Sequence, residues 1–463
     1  MSKAEELKKE LFYQPKHAAG VMSKAEIKQA DEFAVDYIKF LDNAKTEREA
    51  VATVVAEAKE LGFKEYDASK KYKAGDKVYY INRKKAVILA VIGKKSLKEG
   101  VKIAAAHIDS PRLDLKPNPI YESDEMAFFK THYYGGIKKY QWVTIPLALH
   151  GVIVKNDGTE VQVSVGEKEG EPKFVISDLL PHLDGEQEKR PLKDGIAGEE
   201  LNVIIGSLPF KSDEGSELVK LNLLKILNEK YGITEADFLS AELEVVPAFK
   251  ADFIGFDKGL IGAYGHDDRV CAYPAARAAF AANKPDYTVI TCLTDKEEIG
   301  SEGNTGLQSS YLKYFIASLA KAEGVDQYEV LSHSECLSAD VNAAFDPTFS
   351  SVFEKNNASF LNRGVVITKY TGARGKSGSS DASAEFMGKV RALLDSKKVV
   401  WQIGELGKVD AGGGGTVAKY VARHDIDVVD VGVAVLSMHA PYEVIAKFDL
   451  WAAFRAFDEF FKQ

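Results

Sequence analysis

Cysteine is nearly absent from this 463-residue chain: three thiols, Cys271, Cys292 and Cys336, with no CxxC pair. That excludes a disulfide framework and a cysteine-based zinc finger. Basic blocks are missing too. Sixty Lys and Arg stand against sixty-nine Asp and Glu, a net charge of −9. A mildly acidic chain without a basic stripe is a poor match for nucleic acid or an anionic membrane. No run approaches roughly 18 uninterrupted apolar residues, so no membrane-spanning helix is expected. The opening segment MSKAEELKKELFYQ alternates charge where a secretory signal needs an apolar core. These absences lead to the expectation of a soluble, cytoplasmic protein.

Several catalytic signatures are also missing. No HExxH stands for a thermolysin-type zinc site, no GxSxG for a nucleophile elbow, and no GxGxxG follows a strand. The segment GARGKS resembles a phosphate loop, but the first glycine that loop requires falls at Tyr370. It reads as a polar loop.

What is present is ordinary globular material, 45% apolar and 28% charged. At roughly 150 residues per domain the length predicts two to three domains. The first sixty residues read as helix, with Phe33, Val35, Ile38 and Leu41 recurring at helical spacing and Gly62 as a C-terminal cap. Ala86 to Ile92 and Val101 to Ala106 are short apolar runs that read as buried strands of an α/β sheet.

After Pro111 the texture changes. Pro and Tyr clusters appear, with a hairpin predicted at GVIVKNDGTEVQVSV around Asp157-Gly158, a charged stretch DGEQEKRPLKDG, and one helix near Ser216 to Lys230. The α/β pattern resumes with VCAYPAARAAFAA and YTVITCLTDKEE. The reading is a β-rich domain, 113–250, inserted into an α/β domain formed by 1–112 and 251–463.

Five signals follow apolar runs or open a helix. KIAAAHIDSPRLD puts His107 and Asp109 at the carboxyl end of a strand, on one face of an extended segment. The alternative there is a loop His paired with an Asp. GHDDRVCAYP sets Asp267 and Asp268 at a helix start, where N-capping alone would explain them; the adjacent His266 is read as a non-ligand. YTVITCLTDKEEIGSEG runs a strand into Glu297 and Glu298, adjacent like charges that suit one metal ligand beside one base, or else a solvated acidic loop. CLSADVNAAFDP offers Asp340. VDVGVAVLSMHAPYE ends a strand with His439, which by itself is more often structural.

Together the motifs AHIDSPR, DDR, EEIGSEG, SAD and SMHAPYE resemble the aspartyl aminopeptidase and vacuolar aminopeptidase I family of dinuclear zinc exopeptidases, from about residue 30 to the C-terminus. The resemblance implies a phosphorylase-like α/β/α sandwich catalytic domain interrupted by a smaller β-rich domain that makes subunit contacts, with assembly as tetrahedral homododecamers. It implies one zinc held by His107, Asp267 and Asp340, and a second by Glu298, His439 and the same bridging Asp267. Asp109 would orient His107 and Glu297 would be the general base. His182, in ISDLLPHLD, would reach the active site of a neighbouring subunit. Peptides are the implied substrates, and nitrogen and oxygen ligands also admit cobalt or manganese.

Two departures stand out. SAD is followed by VNAAFDPTF where aspartyl members carry a histidine-rich run ending in His-Pro-Asn. The segment ITKYTGARGKSGSSDASAEF also differs, and it offers Lys369, Arg374 and Lys376 either as partners for an acidic side chain or, equally, as solvated loop cations. A related dinuclear amidohydrolase (a deacetylase or carboxypeptidase) and a silent assembly homologue are the competing functions.

Overall fold

The computed structural model describes residues 2–212 and 214–463. Its centre is a nine-stranded sheet whose middle is parallel: Thr288–Thr294, Val101–His107, Glu335–Ser338 and Asp427–Gly432 lie side by side in that order. Ala86–Val91 flanks them antiparallel on one side and Val365–Thr368 on the other. The run AVILAV is buried at all six positions because both faces of the sheet are covered. Val87, Leu89 and Val91 enter one core, with helices Lys24–Asn43, Glu47–Glu60, His266–Ala281, Ala384–Ser396 and Lys447–Phe461. Ile88 and Ala90 enter the other, under helices Tyr311–Glu323, Gln327–Ser332 and Ala418–Ala422. Alternation at period two into two cores explains why an unbroken apolar run makes a strand here. Each such fully buried aliphatic side chain contributes roughly 1.5–3 kcal/mol.

A second, seven-stranded antiparallel sheet is drawn wholly from residues 112–247, and its core is separate. The hairpin Leu147–Val154 with Glu160–Val165 turns at Asp157-Gly158, Gly158 taking a φ of +83°. The helix read near Ser216 to Lys230 spans Leu218–Tyr231. A third sheet of five short strands joins Asn342–Ala343 to Ala434–Leu436, Glu443–Ala446, Leu260–Ala263 and Asp252–Ile254.

The N-terminal helices form, with one correction to their buried face. Val35 is exposed, and the buried positions are Ala30, Ala34, Tyr37, Phe40 and Leu41. Those positions recur at intervals of three and four, the spacing of a helix face, and place Val35 off it. Glu47–Glu60 ends as expected, with Leu61 as cap and Gly62 at φ +85° after it. All three cysteines are buried and free. No helix among the described residues is long and apolar enough to cross a membrane.

Candidate metal centre

The candidate residues meet near the carboxyl edge of the parallel strands, where open α/β sheets bind ligands. His107 is the last residue of its strand. Its Nδ1–H donates to the backbone carbonyl of Asp109 at 3.0 Å, which turns Nε2 toward the centre. His439, at φ +65°, is arranged the same way, with Nδ1–H donated to the carbonyl of Gly136 at 2.7 Å. Between the two rings stands Asp267, one oxygen 3.2 Å from His107 Nε2 and the other 3.1 Å from His439 Nε2.

Asp267 and Asp268 open the helix His266–Ala281 but do not cap it. Their backbone angles are non-helical, Gly265 is the cap residue, and no side-chain capping bond is made. Asp268 is turned inward and accepts the backbone N–H of His107 at 3.2 Å. It lies with His107 and Asp340 within 4.8 Å, so both members of the acidic pair reach the centre. Asp267 faces both imidazoles, whereas one oxygen of Asp268 is already engaged. His266 is structural: Tyr37 and the carbonyl of Ile261 take its two ring nitrogens, and burial lowers its pKa to about 3.

Glu297 and Glu298 sit on a short 3₁₀ turn after strand Thr288–Thr294. Glu298 approaches His439 Nε2 at 3.4 Å, Glu297 approaches His107 Nε2 at 4.0 Å, and Asp340 lies 3.8 Å from the same nitrogen. The Asp109 carboxylate comes within 3.3 Å of His107 Nδ1. Its better bonds lie elsewhere: Oδ1 accepts the N–H of Glu297, and Oδ2 that of Glu298, both at 3.2 Å. Asp109 therefore orients His107 chiefly through its main chain, while its side chain holds the acidic turn.

The metal-free electrostatics show what is missing. Burial and the charge of Asp340 raise the Glu297 pKa to about 8, and burial and Asp267 push Glu298 well up. Burial raises Asp340 and Asp268 as well. Burial works against the His439 charge, but Asp267 and Glu298 carry its pKa to about 11. Meanwhile His107 Nε2, Asp267 Oδ1 and Glu298 Oε1 are buried without a hydrogen-bond partner. Buried acceptors aimed at one another are destabilising unless a cation lies between them. Imidazole and carboxylate donors suit zinc, cobalt or manganese. The residues fit metal.

Beside the centre opens a cavity of about 380 Å³ bounded by Asn342, Thr368, Met438 and the glycines 413–415, with Lys419 the one lysine or arginine lining it among the described residues. Lys369 and Arg374 are not among its lining residues. Lys369 and Lys376 both pair with Asp381 on an exposed loop. Arg374 borders a separate shallow depression beside Tyr370 and Glu405. His182 is exposed and outside the cavity of its own chain.

Sequence reasoning assigned no role to Glu443, Tyr134 or Gly136. Glu443 is buried, and its carboxylate accepts the backbone N–H of both Asp267 and His439. It lies within the motif SMHAPYE, four residues beyond His439, and that spacing was its available signal.

A family profile, the aminopeptidase I zinc metalloproteases (M18), matches residues 40–461. The chain belongs to the M18 family. A curated relative from Clostridium acetobutylicum, a probable M18 family aminopeptidase 1, is 49% identical over 429 residues, covering 91% of this chain and 92% of the relative. The crystal structure of an M18 aminopeptidase from Thermotoga maritima superposes with a TM-score of 0.92 at 44% identity, covering 97% of this chain and all of that one. The S. cerevisiae mApe1 dodecamer matches with a TM-score of 0.77 at 21% identity, covering 94% and 97%, and shares the fold. The M18 family is one of zinc metalloproteases, and in this member imidazoles and carboxylates converge at the carboxyl edge of the sheet.

Proposed function

We propose that this M18 aminopeptidase removes the N-terminal residue of peptides at a dinuclear centre, with Asp267 bridging two zinc ions. His107 and Asp340 would complete one site, and Glu298 and His439 the other. The single observation that carries this reading is the Asp267 carboxylate, with one oxygen facing each imidazole. Bound cations at such a site supply Lewis-acid polarisation and lower the pKa of water.

The chain's own residues do the rest. Glu297, with its carboxylate 4.0 Å from His107 and lining the cavity, takes the proton of the attacking water and returns it to the leaving amine. The substrate's free α-amino group would bind at the cation held by Glu298, His439 and Asp267, which favours an exopeptidase. Asp109 fixes Glu297 by its N–H.

Assembly as a tetrahedral homododecamer, with the 113–250 block as the inserted domain that makes subunit contacts and His182 reaching a neighbouring site, is part of the same proposal. Support comes from the shared fold with the mApe1 dodecamer and from the exposure of His182. Mixing inactive His182→Ala with inactive Glu297→Gln subunits restores activity if the site is shared. Free, buried cysteines suit a reducing, cytoplasmic setting.

A hydrolysis panel of unblocked dipeptides and their N-acetylated counterparts tests the activity. Turnover of the free-amine peptides alone is the expected result. Equal cleavage of acetylated peptides would point to an amidohydrolase, and no cleavage by zinc-loaded protein would point to a silent homologue.

A further inference from the structure

The turn Tyr134–Gly136 closes strand Met126–Tyr134 of the seven-stranded sheet, yet it touches residues of both halves of the candidate metal centre. The Tyr134 hydroxyl donates to Asp109 Oδ2 at 2.8 Å. That carboxylate is the acceptor for the N–H groups of Glu297 and Glu298. Two residues on, the Gly136 carbonyl accepts Nδ1–H of His439 at 2.7 Å. Gly135 lies between them at φ +74°, and a Cβ there would come within 3.2 Å of the Glu298 carboxylate. At Gly135 the backbone is packed tightly against Glu298.

We propose that Tyr134–Gly136 is a positioning element of the metal centre, Tyr134 acting through Asp109 on Glu297 and Glu298, and Gly136 acting directly on His439. The inference rests on the dinuclear reading above and adds the second sheet to the machinery. A hydroxyl that fixes the Asp109 carboxylate fixes the start of the turn carrying both glutamates. A carbonyl that holds Nδ1–H fixes the tautomer that leaves Nε2 free as a ligand.

Tyr134 is itself immobilised. Its ring is buried, and the Arg112 guanidinium stacks on it 3.9 Å from the ring centre. Arg112 is anchored in turn by Asp114 at 2.8 Å and Glu244 at 3.2 Å, both on strands of the second sheet. Any shift of that sheet against the nine-stranded one is transmitted to the acidic turn and to His439 together.

The test is Tyr134→Phe, which deletes one hydroxyl and keeps the ring under Arg112. Zinc affinity is measured by competition with a chromophoric chelator, alongside kcat, KM and thermal melting. Loss of an outer-shell partner predicts zinc binding weaker by about 10–100-fold, with kcat reduced and KM little changed. Tyr133→Phe, at the exposed neighbouring position, is expected to behave as wild type. A folded Tyr134→Phe with wild-type zinc affinity and kcat overturns the proposal, and so does one whose melting temperature alone falls.

If Tyr134→Phe does not fold, Gly135→Ala carries the test. Its added methyl presses on Glu298, weakened zinc retention is expected, and wild-type retention overturns the proposal. Wild-type protein that takes up no zinc at all sinks the metal-centre reading, and this inference with it. Zinc-binding wild type with indistinguishable variants sinks the inference alone.

Discussion

Glu443 accepts the backbone N–H of Asp267 at 3.0 Å, and its second oxygen accepts that of His439 at 2.7 Å. One buried carboxylate thus clamps the main chains of two candidate ligands. Strand pairing makes this possible, because Glu443 lies opposite Ala263, just before the turn that carries Asp267.

The clamp predicts the behaviour of Glu443→Gln. The amide keeps one acceptor and presents an NH₂ donor to the other N–H, leaving that buried donor without a partner. Stability is expected to fall by about 1–3 kcal/mol. Zinc affinity is expected to fall by about 10–100-fold. Denaturant unfolding and chelator competition measure the two effects. Unchanged zinc affinity in a folded Glu443→Gln would remove the residue from the metal centre.

Glu297 and Asp267 separate chemistry from binding. Glu297→Gln keeps its volume and loses the base, so metal content should persist while turnover drops by about 10²–10⁴-fold. Asp267→Asn removes the charge between the two imidazoles and should lose metal. Elemental analysis of both dialysed variants decides the matter. Full dinuclear loading of Asp267→Asn would refute the bridge.

Much of this arrangement was legible in the sequence, for physical reasons that can be named. Ala86–Val91 stands out because a strand buried on both faces can be wholly apolar, and Val101–His107 stands out with Lys102 the one polar position before its terminal His107. Chemistry-bearing residues directly after such runs, His107 and Glu297 among them, mark the carboxyl edge of the sheet. The third sheet was illegible because strands of two to four residues carry no period. Gly136 contributes a carbonyl, which no side-chain pattern reveals. The cationic character of Lys369 was visible in the sequence, whereas its pairing with Asp381 was not.

The carboxyl groups predict how metal-free protein responds to pH. Burial is the leading cause that raises Glu297 and Glu443 to about 8 and Asp430 to about 7. Their pKa values when folded exceed the unfolded carboxyl values of about 4. The folded state therefore binds more protons than the unfolded one between pH 4 and 8. Stability from these groups is present below the unfolded values and is lost as pH rises through 7 to 8. His439, raised to about 11, acts in the same direction. Chelator-treated protein should melt at a lower temperature at pH 8.5 than at pH 6. Zinc binding must displace those protons, so the stabilisation by zinc should grow with pH. A metal-free melting temperature that rises from pH 6 to 8.5 would contradict this charge pattern.

The last prediction concerns the junction between the two large sheets. Arg112 is buried, with Glu244 at 3.2 Å, Asp114 at 2.8 Å and Glu47 at 3.5 Å. Burial works against the Glu47 charge, yet Arg112 and Lys85 hold its pKa down to about 2. Burial pushes the Glu244 pKa well up, with Arg112 pulling it back and the nearby Glu47 charge adding to the rise. Arg112→Met removes the main countercharge and leaves buried acids behind. A loss of about 3–5 kcal/mol is expected. Glu244→Gln alone should be milder, because Asp114 and Glu47 still face the guanidinium and no buried cation is left without a partner. Arg112→Met should also release the Tyr134 ring, which the guanidinium covers. Its zinc affinity should therefore fall even where the protein is fully folded, whereas that of Glu244→Gln should not. Equal losses of stability in the two variants, read from denaturant midpoints, would contradict Arg112 being the main countercharge of this cluster.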